Sequence, residues 1–464
     1  MPIYLNNTSY DIAFGAKPIE KMGGDNVVAY SMYGENIPII ETADGIEIIN
    51  KFVLSDYSSW CITDKGNLYV CGQNGIGKLG IPSEEESNIL VFTKVAKNVK
   101  EVYTNCYASV TAYIDISGNL YLCGNNEYGQ QGNGESGYDE NYNPRIVQQF
   151  TKRAENVASA CITHNASWYI DTEGNLYGCG ANGDGQQGNG DSGWVETPDY
   201  MGEKTVNTFT KVASNVKKVF TSTYGERTFY ITNENDLYGA GSGNGYGLGQ
   251  NTSGSSVFIK IAADVKEIKS TQNTTWYLTN SGDLYGCGRN SYGQQGSGNT
   301  SNVTSFVKRA SDVKSFEITS WNTWYVTNSN ELWGCGQNNN GQLGTGNTTN
   351  TSTFAKRASD IKYFTIGGKA GASAIAAYIN SNNELFAAGG TEDLGYATDS
   401  KTFVKIHDNI SELYCASRYG SNAFIKTLDN KWYCSGDNDY GKLGLGDTTR
   451  RTNLVEVDIN TWVK

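Results

Sequence analysis

Short apolar stretches alternate with turn-forming residues along most of the chain. One unit of this pattern begins with Phe-Thr-Lys-Val-Ala at residues 209–213 and continues with a β-branched stretch at residues 216–220. An aromatic stretch, as at residues 275–279, and the segment Gly-Asp-Leu-Tyr-Gly-Cys-Gly at residues 282–288 complete a unit. Asn, Gly and Asp separate the stretches, and none of them carries a helical period. Each unit is therefore predicted to hold four short β-strands.

The unit recurs along the chain at a regular spacing. Its final glycine appears eight times. These glycines are Gly72, Gly124, Gly180, Gly241, Gly288, Gly336, Gly389 and Gly436, on average 52 residues apart. Four-stranded repeats of about 40–50 residues are typical of propeller blades. The sequence therefore predicts an all-β, closed propeller of four-stranded antiparallel blades, eight of them by motif count.

The repeats resemble those of the regulator-of-chromosome-condensation superfamily of β-propellers. The resemblance rests on the Gly-Asn/Asp-Leu-Tyr-x-Cys-Gly strand and the Asn-x-Tyr-Gly-Gln-x-Gly loop after it, and it covers residues 40–464. The best known members have seven blades, so the resemblance leaves seven as the alternative to eight. Such propellers serve as exchange factors, photoreceptors, inhibitors and binding platforms, so the resemblance implies a fold and not one function.

The two ends of the chain depart from the repeat. Residues 37–464 are assigned to the propeller, and residues 1–36 are predicted to form a small β segment. This segment is similar to the N-terminal segments of tail and baseplate proteins of bacteriophages and phage-like particles, which implies attachment to a particle. An extension that only caps the propeller is the alternative. Residues 453–459 look like the opening strand of a further repeat, and we expect them to pair with the first blade and tie the ends together.

Composition and charge exclude several classes of protein. Lys and Arg total 36 against 48 Asp and Glu, which gives a net charge of −12. No basic run could form a nucleic-acid patch, and no apolar window reaches the length of a membrane helix. The N-terminus lacks the pattern of a signal peptide. We therefore expect a protein made in the cytoplasm, with no nucleic-acid partner and no membrane insertion.

The reactive side chains form no catalytic or metal-binding pattern. Five of the 10 cysteines share one repeat position, and Cys434 lies one residue earlier in its copy. The five are Cys71, Cys123, Cys179, Cys287 and Cys335. We predict free thiols buried on the strand nearest the propeller axis. The absence of a Cys-x-x-Cys pair and the limit of two histidines, His164 and His407, argue against a zinc site and against catalysis by histidine. No cofactor, metal or enzymatic activity is expected.

Variation between copies is confined to one side of the predicted blades. In an antiparallel blade, alternate connections lie on one face. The variable ones are residues 81–90, 135–149, 191–207, 222–227, 367–373 and 417–422. Those on the other face are uniformly short. Rigid folds bind their partners through such variable loops.

The variable loops carry side chains that are common at interfaces. The candidate binding residues are Tyr138, Tyr142, Trp194, Tyr200, Met201, Tyr224, Trp321 and Tyr419. The alternative is that each aromatic side chain only holds its own loop on the propeller. A structural role is predicted for the repeated loop tyrosines Tyr128, Tyr246, Tyr292 and Tyr440.

These features favour a non-enzymatic binding protein, with host recognition as the first hypothesis. It would be the receptor-binding protein of a phage tail or phage-tail-like bacteriocin, acting outside the cell. The variable loops would bind a bacterial cell-surface protein or glycan, and residues 1–36 would bind other tail or baseplate proteins. A propeller-type inhibitor or regulatory module is the alternative, followed by a Ran-type exchange factor and a glycan-active enzyme. Homo-oligomerisation stays open.

Overall fold

The computed structural model describes residues 47–457, except 83–87, 106–108, 196–201, 250–253, 368–373, 397 and 417–420, together with the backbone of short strands. The short strands ahead of residue 48 are Ile3–Leu5, Thr8–Tyr10, Lys17–Pro18, Tyr30–Met32, Glu35–Asn36, Ile40–Thr42 and Gly45–Glu47. They pair as two hairpins and one three-stranded sheet. Whether residues 1–36 attach the protein to a particle stays a prediction.

Eight blades of four antiparallel strands follow, which confirms the predicted fold and its blade number. We letter the strands of each blade a to d in chain order. Blades 1 to 4 are Ile49–Leu54, Ser58–Thr63, Leu68–Gln73, Asn88–Ala96; Val99–Thr104, Val110–Asp115, Leu120–Asn125, Ile146–Ala154; Val157–Ile162, Ala166–Asp171, Leu176–Ala181, Thr205–Ala213; and Val216–Thr221, Arg227–Thr232, Leu237–Ser242, Gly254–Ala262. Blades 5 to 8 are Val265–Ser270, Thr274–Thr279, Leu284–Gly288, Val303–Ala310; Val313–Ile318, Asn322–Thr327, Leu332–Gly336, Thr351–Ala358; Ile361–Gly367, Ile375–Asn380, Leu385–Gly389, Ser400–His407; and Ile410–Cys415, Asn422–Thr427, Trp432–Gly436, Arg451–Glu456.

Three further elements complete the described structure. A hairpin of Trp194–Thr197 and Tyr200–Glu203 lies between strands c and d of blade 3. Short 3-10 turns occur at Asn244–Tyr246, Thr391–Leu394 and Asp439–Gly441. In this part of the chain, no helix has the length and hydrophobicity needed to cross a membrane.

Strand a, and not the cysteine-bearing strand c, lies nearest the axis. Neighbouring a strands contact one another around the ring, and the a strand of blade 8 meets that of blade 1. The prediction that the cysteine strand lines the axis is therefore wrong. In a series of four-stranded repeats, the sequence does not mark where one blade ends and the next begins. It therefore does not reveal which strand is innermost.

The C-terminal strand also differs from the prediction. Arg451–Glu456 pairs with Trp432–Gly436 of its own blade and not with the first blade. Blade 1 builds all four strands from residues 49–96, so it needs no strand from the other end of the chain. Side-chain contacts and a short backbone bridge between Val91 and Leu445, and not a shared strand, therefore close the ring.

In blades 2 to 7, an aromatic stack and a glycine join the blade to the one before it. In blade 2, Tyr113 stacks on Tyr121 with centroids 4.7 Å apart, and Phe150 meets Tyr113 edge-on at 4.8 Å. The Phe150 ring also lies against Gly80 in the loop of blade 1. A Cβ at Gly80 would come within 2.4 Å of that ring, and its φ of +74° disfavours other residues. The same contact recurs at Gly132–Phe209, Gly188–Phe258, Gly249–Phe306, Gly296–Phe354, Gly344–Phe403 and, across the closing seam, Gly444–Phe92.

The strand-c cysteines contribute to these seams as well. The thiol of Cys123 donates to the carbonyl of Lys78 in the preceding blade at 3.4 Å, and Cys179 donates to Gln130 in the same way at 3.5 Å. In blade 8 the hydroxyl of Ser435 takes this role, 2.8 Å from the Asp393 carbonyl. Burial raises the pKa of the Cys123 thiol. The nine cysteines in the described ranges are free, as predicted.

The closing seam between blades 8 and 1 has an aromatic cluster of its own. Phe52 stacks on Phe424 at 4.4 Å and meets Trp432 edge-on at 4.8 Å. The hydroxyl of Ser59 donates to the Lys442 carbonyl at 2.7 Å. These contacts bring the two ends of the propeller together without a shared strand.

Candidate functional site

The antiparallel pairing assigns every connection to one of two faces. The a–b and c–d loops lie at one end of each blade, which we call the loop face. The b–c turns and the d–a connections lie at the other end, the turn face. All the variable connections predicted from the sequence are a–b or c–d loops, so they share the loop face.

The c–d loops of blades 5 and 6 show the basic framework of this face. The Asn290 side chain accepts a hydrogen bond from the Gln295 N–H at 2.8 Å and donates to Ser297 Oγ at 2.9 Å. The Asn290 N–H donates to Asn302 Oδ1 at 3.0 Å, which ends the loop. Asn338 and Asn350 repeat the arrangement in blade 6.

The loop glutamines connect this framework to the next blade. Gln294 Nε2 donates to the Ser320 carbonyl of blade 6 at 3.0 Å, and Gln130 Nε2 donates to the His164 carbonyl of blade 3 at 3.3 Å. The glutamines of these repeated loops therefore hold the loop against the neighbouring blade, as predicted, while the role of the loop tyrosines stays a prediction.

Blade 2 keeps this framework and adds a hairpin at residues 136–145. The Arg145 carbonyl takes the place of the Asn302 side chain and accepts from the Asn126 N–H at 2.8 Å. Tyr138 bridges to Pro144 across the hairpin, and its hydroxyl donates to Glu127 Oε1. The insertion therefore extends from the loop without altering its base.

The tip of this hairpin presents Tyr142 to solvent. Tyr142 is 87% exposed and has a φ of +60°, a left-handed conformation that costs a residue with a Cβ about 1 kcal/mol or more. Asp139 holds the turn, because its Oδ1 accepts from the N–H groups of Asn141 at 2.8 Å and Asn143 at 2.9 Å. The hydrogen bonds from Asn143 and Asn141 lower the pKa of Asp139. An exposed aromatic ring on a strained backbone marks a candidate functional residue.

Blade 3 carries a second hairpin in the equivalent position, within residues 192–204. The Lys204 carbonyl accepts from the Asn182 N–H at 2.7 Å, as Arg145 does in blade 2. Trp194 is 65% exposed and lies opposite Glu203 in the hairpin. Tyr200 and Met201 are in the returning strand, but their side chains lie outside the described residues.

Four carboxylates lie near one another at the hairpins, and no sequence motif singles them out. They are Glu127, Asp184, Glu203 and Glu226. Burial raises the pKa of Glu203, and the charges of Asp184 and Glu127 raise it further. Burial and the charge of Asp184 also raise the pKa of Glu226, although Arg227 opposes this. The loop face is therefore acidic beside its exposed aromatic side chains.

Arg227 is a buried cation that the sequence analysis missed. Its Nε donates to the Ser242 carbonyl at 2.6 Å, and its Nη1 donates to the carbonyls of Thr271 at 3.1 Å and Gln272 at 3.2 Å in blade 5. Gly247 leaves room for the guanidinium, since a Cβ there would lie 2.3 Å from it. The other b strands begin with uncharged residues, and this contrast is the signal that could have identified Arg227.

The remaining predicted site residues are spread around the ring. Tyr224 is half-buried in the a–b loop of blade 4, whose Gly225 packs on Thr163 and Asn165 of blade 3. Trp321 is half-exposed on blade 6, and Tyr419 lies outside the described residues. The structure thus places Tyr138, Tyr142 and Trp194 on adjacent blades and Trp321 apart from them.

Two observations bear on possible chemistry at this face. Among the described residues, no group of three His, Cys, Asp or Glu side chains could hold a metal ion. His164 Nδ1 lies 3.2 Å from Ser109 Oγ, and burial lowers the pKa of this histidine. The loop face thus presents exposed aromatic rings beside carboxylates.

Sequence comparisons agree with the resemblance found in the repeats. The profile of the Regulator of chromosome condensation (RCC1) repeat matches residues 265–294, which begin at strand a of blade 5. The human probable E3 ubiquitin-protein ligase HERC4 is 28% identical over 141 residues, 30% of this chain and 13% of that protein. The human probable E3 ubiquitin-protein ligase HERC3 is 25% identical over 212 residues, 44% of this chain and 19% of that protein. The chain thus spans less than a fifth of either relative.

Solved structures show the same fold at low identity. Prp20p from Saccharomyces cerevisiae, studied for its binding to Gsp1p and histones, superposes with a TM-score of 0.52 at 16% identity, over 79% of this chain and 91% of that one. Human WBSCR16 superposes with a TM-score of 0.51 at 18% identity, over 68% and 83%. Together with the repeat match, these findings identify an RCC1-like propeller, a fold that suggests a protein-binding or regulatory module.

Proposed function

We propose that this propeller recognises a bacterial cell surface as the receptor-binding protein of a phage tail or phage-tail-like bacteriocin. The contact surface would be the insertion patch, which we define as residues 136–145 and 192–204 on the loop face. One observation carries the proposal: two neighbouring blades carry hairpins in the same position, and each hairpin exposes an aromatic side chain. The receptor would be a cell-surface protein or glycan, and the protein would act outside the cell.

The exposure of these side chains supports binding over the alternative that they hold their own loops. Trp194 is 65% exposed and Tyr142 is 87% exposed, so most of the surface of both residues is in contact with water. A ring that pinned its loop would bury that surface, because removal of apolar area from water is what stabilises such a contact. Tyr138 differs, since its hydroxyl donates to Glu127 and it thereby helps to support its hairpin.

Two features are compatible with the phage assignment. Residues 1–36 depart from the repeat, and their sequence resemblance to the N-terminal segments of tail and baseplate proteins implies attachment to a particle. The variable loops all lie on one face, so a particle could hold the protein while this face stays accessible. Under this proposal, residues 1–36 bind the particle and the insertion patch binds the host.

The test is binding of the fluorescently labelled protein to intact cells from a panel of bacterial strains. Trp194→Ala and Tyr142→Ala should each weaken binding to a recognised strain by about 1–2 kcal/mol, roughly tenfold, if the rings are anchors. Trp321→Ala on blade 6 is the matched aromatic control and should bind like the parent protein. Unchanged binding by both patch variants would reject the patch. Binding to no strain would reject host recognition.

A regulatory interaction module is the second candidate, and the similarity to RCC1-like propellers favours it. Its partner would be another protein, bound through the same acidic and aromatic patch. Gene neighbourhood separates the two: tail-sheath and baseplate genes on both sides support the host-recognition proposal. Their absence, combined with a protein that binds no cells, supports the regulatory module.

A further inference from the structure

One seam of the propeller is open on the turn face. Between blades 7 and 8 lies a groove of about 560 Å³, lined by the d–a connection around His407 and the b–c turn around Leu428. This volume is within the range of small-molecule sites, about 300–1,000 Å³. The groove is on the opposite face from the insertion patch, so it is independent of the proposed function.

Two smaller residues in blade 8 reduce the aromatic packing at this seam. Ile425 pairs with Tyr433 where blade 2 has Tyr113 paired with Tyr121, and the paired tyrosine of strand b is therefore missing. Leu454 occupies the place in strand d that holds Phe403 in blade 7. With these two smaller residues the aromatic stack is incomplete. The Tyr433 ring instead lies 5.9 Å from His407 across the seam.

Three groups in the groove depart from the repeat. His407 stands where strand d of other blades ends in alanine, as at Ala154 and Ala310. Leu428 is 48% exposed, where blades 4 to 6 have asparagine in the same turn. Tyr433 is half-buried at the groove wall. Two rings and an exposed aliphatic side chain therefore provide apolar surface within the groove.

Polar atoms border this apolar surface. His407 Nδ1 lies 2.6 Å from the Asp408 carbonyl, and since a carbonyl only accepts, Nδ1 donates this hydrogen bond. Asp408 already pairs with Lys405, and Asp429 accepts from Thr427 Oγ1. The Asn409 side-chain amide makes no hydrogen bond within the described residues and offers both a donor and an acceptor.

This combination selects for one class of ligand. The negative charges of Asp408 and Asp429 disfavour an anion; Lys405 pairs with Asp408, and the Thr427 hydroxyl occupies one oxygen of Asp429. The polar border disfavours a wholly apolar ligand. A sugar ring has an apolar C–H face and a rim of hydroxyls, which match aromatic rings and an acceptor-rich border. We propose that the groove between blades 7 and 8 binds a neutral saccharide, with His407 and Tyr433 flanking the sugar ring and Asn409 and Asp429 bonding its hydroxyls.

The two histidines of the chain allow a direct test on the intact protein. Proton NMR resolves their Cε1–H signals, and His407→Ala assigns them. The probes are glucose, galactose, mannose, rhamnose and N-acetylglucosamine, each titrated into the tens of millimolar. We expect at least one of them to shift the His407 signal saturably while the His164 signal, on the loop face, stays in place. An unmoved His407 signal with every sugar, or equal shifts of both signals, would overturn the proposal.

Two exposed-turn variants give a matched comparison. Leu428→Asn introduces the residue found in blades 4 to 6. It should lower the affinity for the sugar that shifts the His407 signal by at least about fivefold, because apolar contact is lost. Ile116→Asn makes the same change in the equivalent turn of blade 2, where Ile116 is 69% exposed, and should leave the titration unchanged. Equal effects of the two variants, or no effect of Leu428→Asn, would contradict the assignment. Cell binding through the insertion patch should be unaffected by either.

Discussion

The c–d loops of blades 2 and 3 differ from those of blades 5 and 6 in how the loop ends. All four begin with an asparagine whose side chain organises the loop, and all four place a glycine on the phenylalanine of the next blade. In blades 5 and 6 an asparagine side chain then ends the loop, whereas in blades 2 and 3 the returning arm of a hairpin does so. The ring and the variable surface are thus separable: the framework holds the blades together, and the insertions carry the exposed rings.

The largest expected effect tests whether the framework is shared. Gly132→Ala in blade 2 and Gly296→Ala in blade 5 should each destabilise the propeller by about 3 kcal/mol, because a Cβ would lie 2.4–2.5 Å from the facing phenylalanine ring at a positive φ. The controls are Gly134→Ala and Gly298→Ala, at glycines that have a positive φ but have room for a Cβ. Each control should lower the free energy of unfolding by about 1 kcal/mol. Denaturant unfolding measures all four. A large loss of stability for only one of the variants Gly132→Ala and Gly296→Ala would contradict a framework shared by the two blades.

A smaller effect separates stability from binding within an insertion. Tyr142→Gly should stabilise the protein by about 1 kcal/mol, since glycine adopts the left-handed backbone without the penalty of a Cβ. The same change should weaken cell binding by removing the exposed ring. Thermal unfolding and the cell-binding assay together test this. A destabilised variant would show that Tyr142 packs on its own hairpin, contrary to the proposed role.

The smallest effect concerns the carboxylates beside the insertions. The raised pKa of Glu203 means that the folded protein binds its proton more tightly than the unfolded chain does. Glu203 therefore contributes its full stabilisation below the ordinary carboxyl pKa of about 4.3. This contribution is lost as the pH rises through the pKa that Glu203 has in the folded protein. Glu203→Gln should be slightly more stable than the parent at pH 7, and the difference should shrink as the pH falls towards the ordinary carboxyl pKa. A difference in melting temperature that does not vary with pH would contradict this origin.

The repeats were sufficient to predict the strands, their pairing and the number of blades. The innermost strand was not predictable, because the four-stranded period has no marked beginning, and the pairing of Arg451–Glu456 depends on whether residues 49–96 complete their own blade. The candidate site was predicted in part. Trp194 and Tyr142 were identified by residue type and loop length. Arg227 and Glu203 could not be identified, because their hydrogen bonds and pKa shifts depend on residues of other blades or distant loop positions, and no local sequence pattern encodes these contacts.

The central claim is that the insertions bind and the framework folds, and one loop exchange tests it most directly. Replacing residues 136–145 by Thr-Ser-Asn, the segment at residues 300–302 of blade 5, should restore the minimal loop. The account predicts a free energy of unfolding within about 1 kcal/mol of the parent, as loop lengths change stability little, and a loss of at least about tenfold in binding to a recognised strain. Full binding after the exchange, or a propeller that no longer folds, would contradict it.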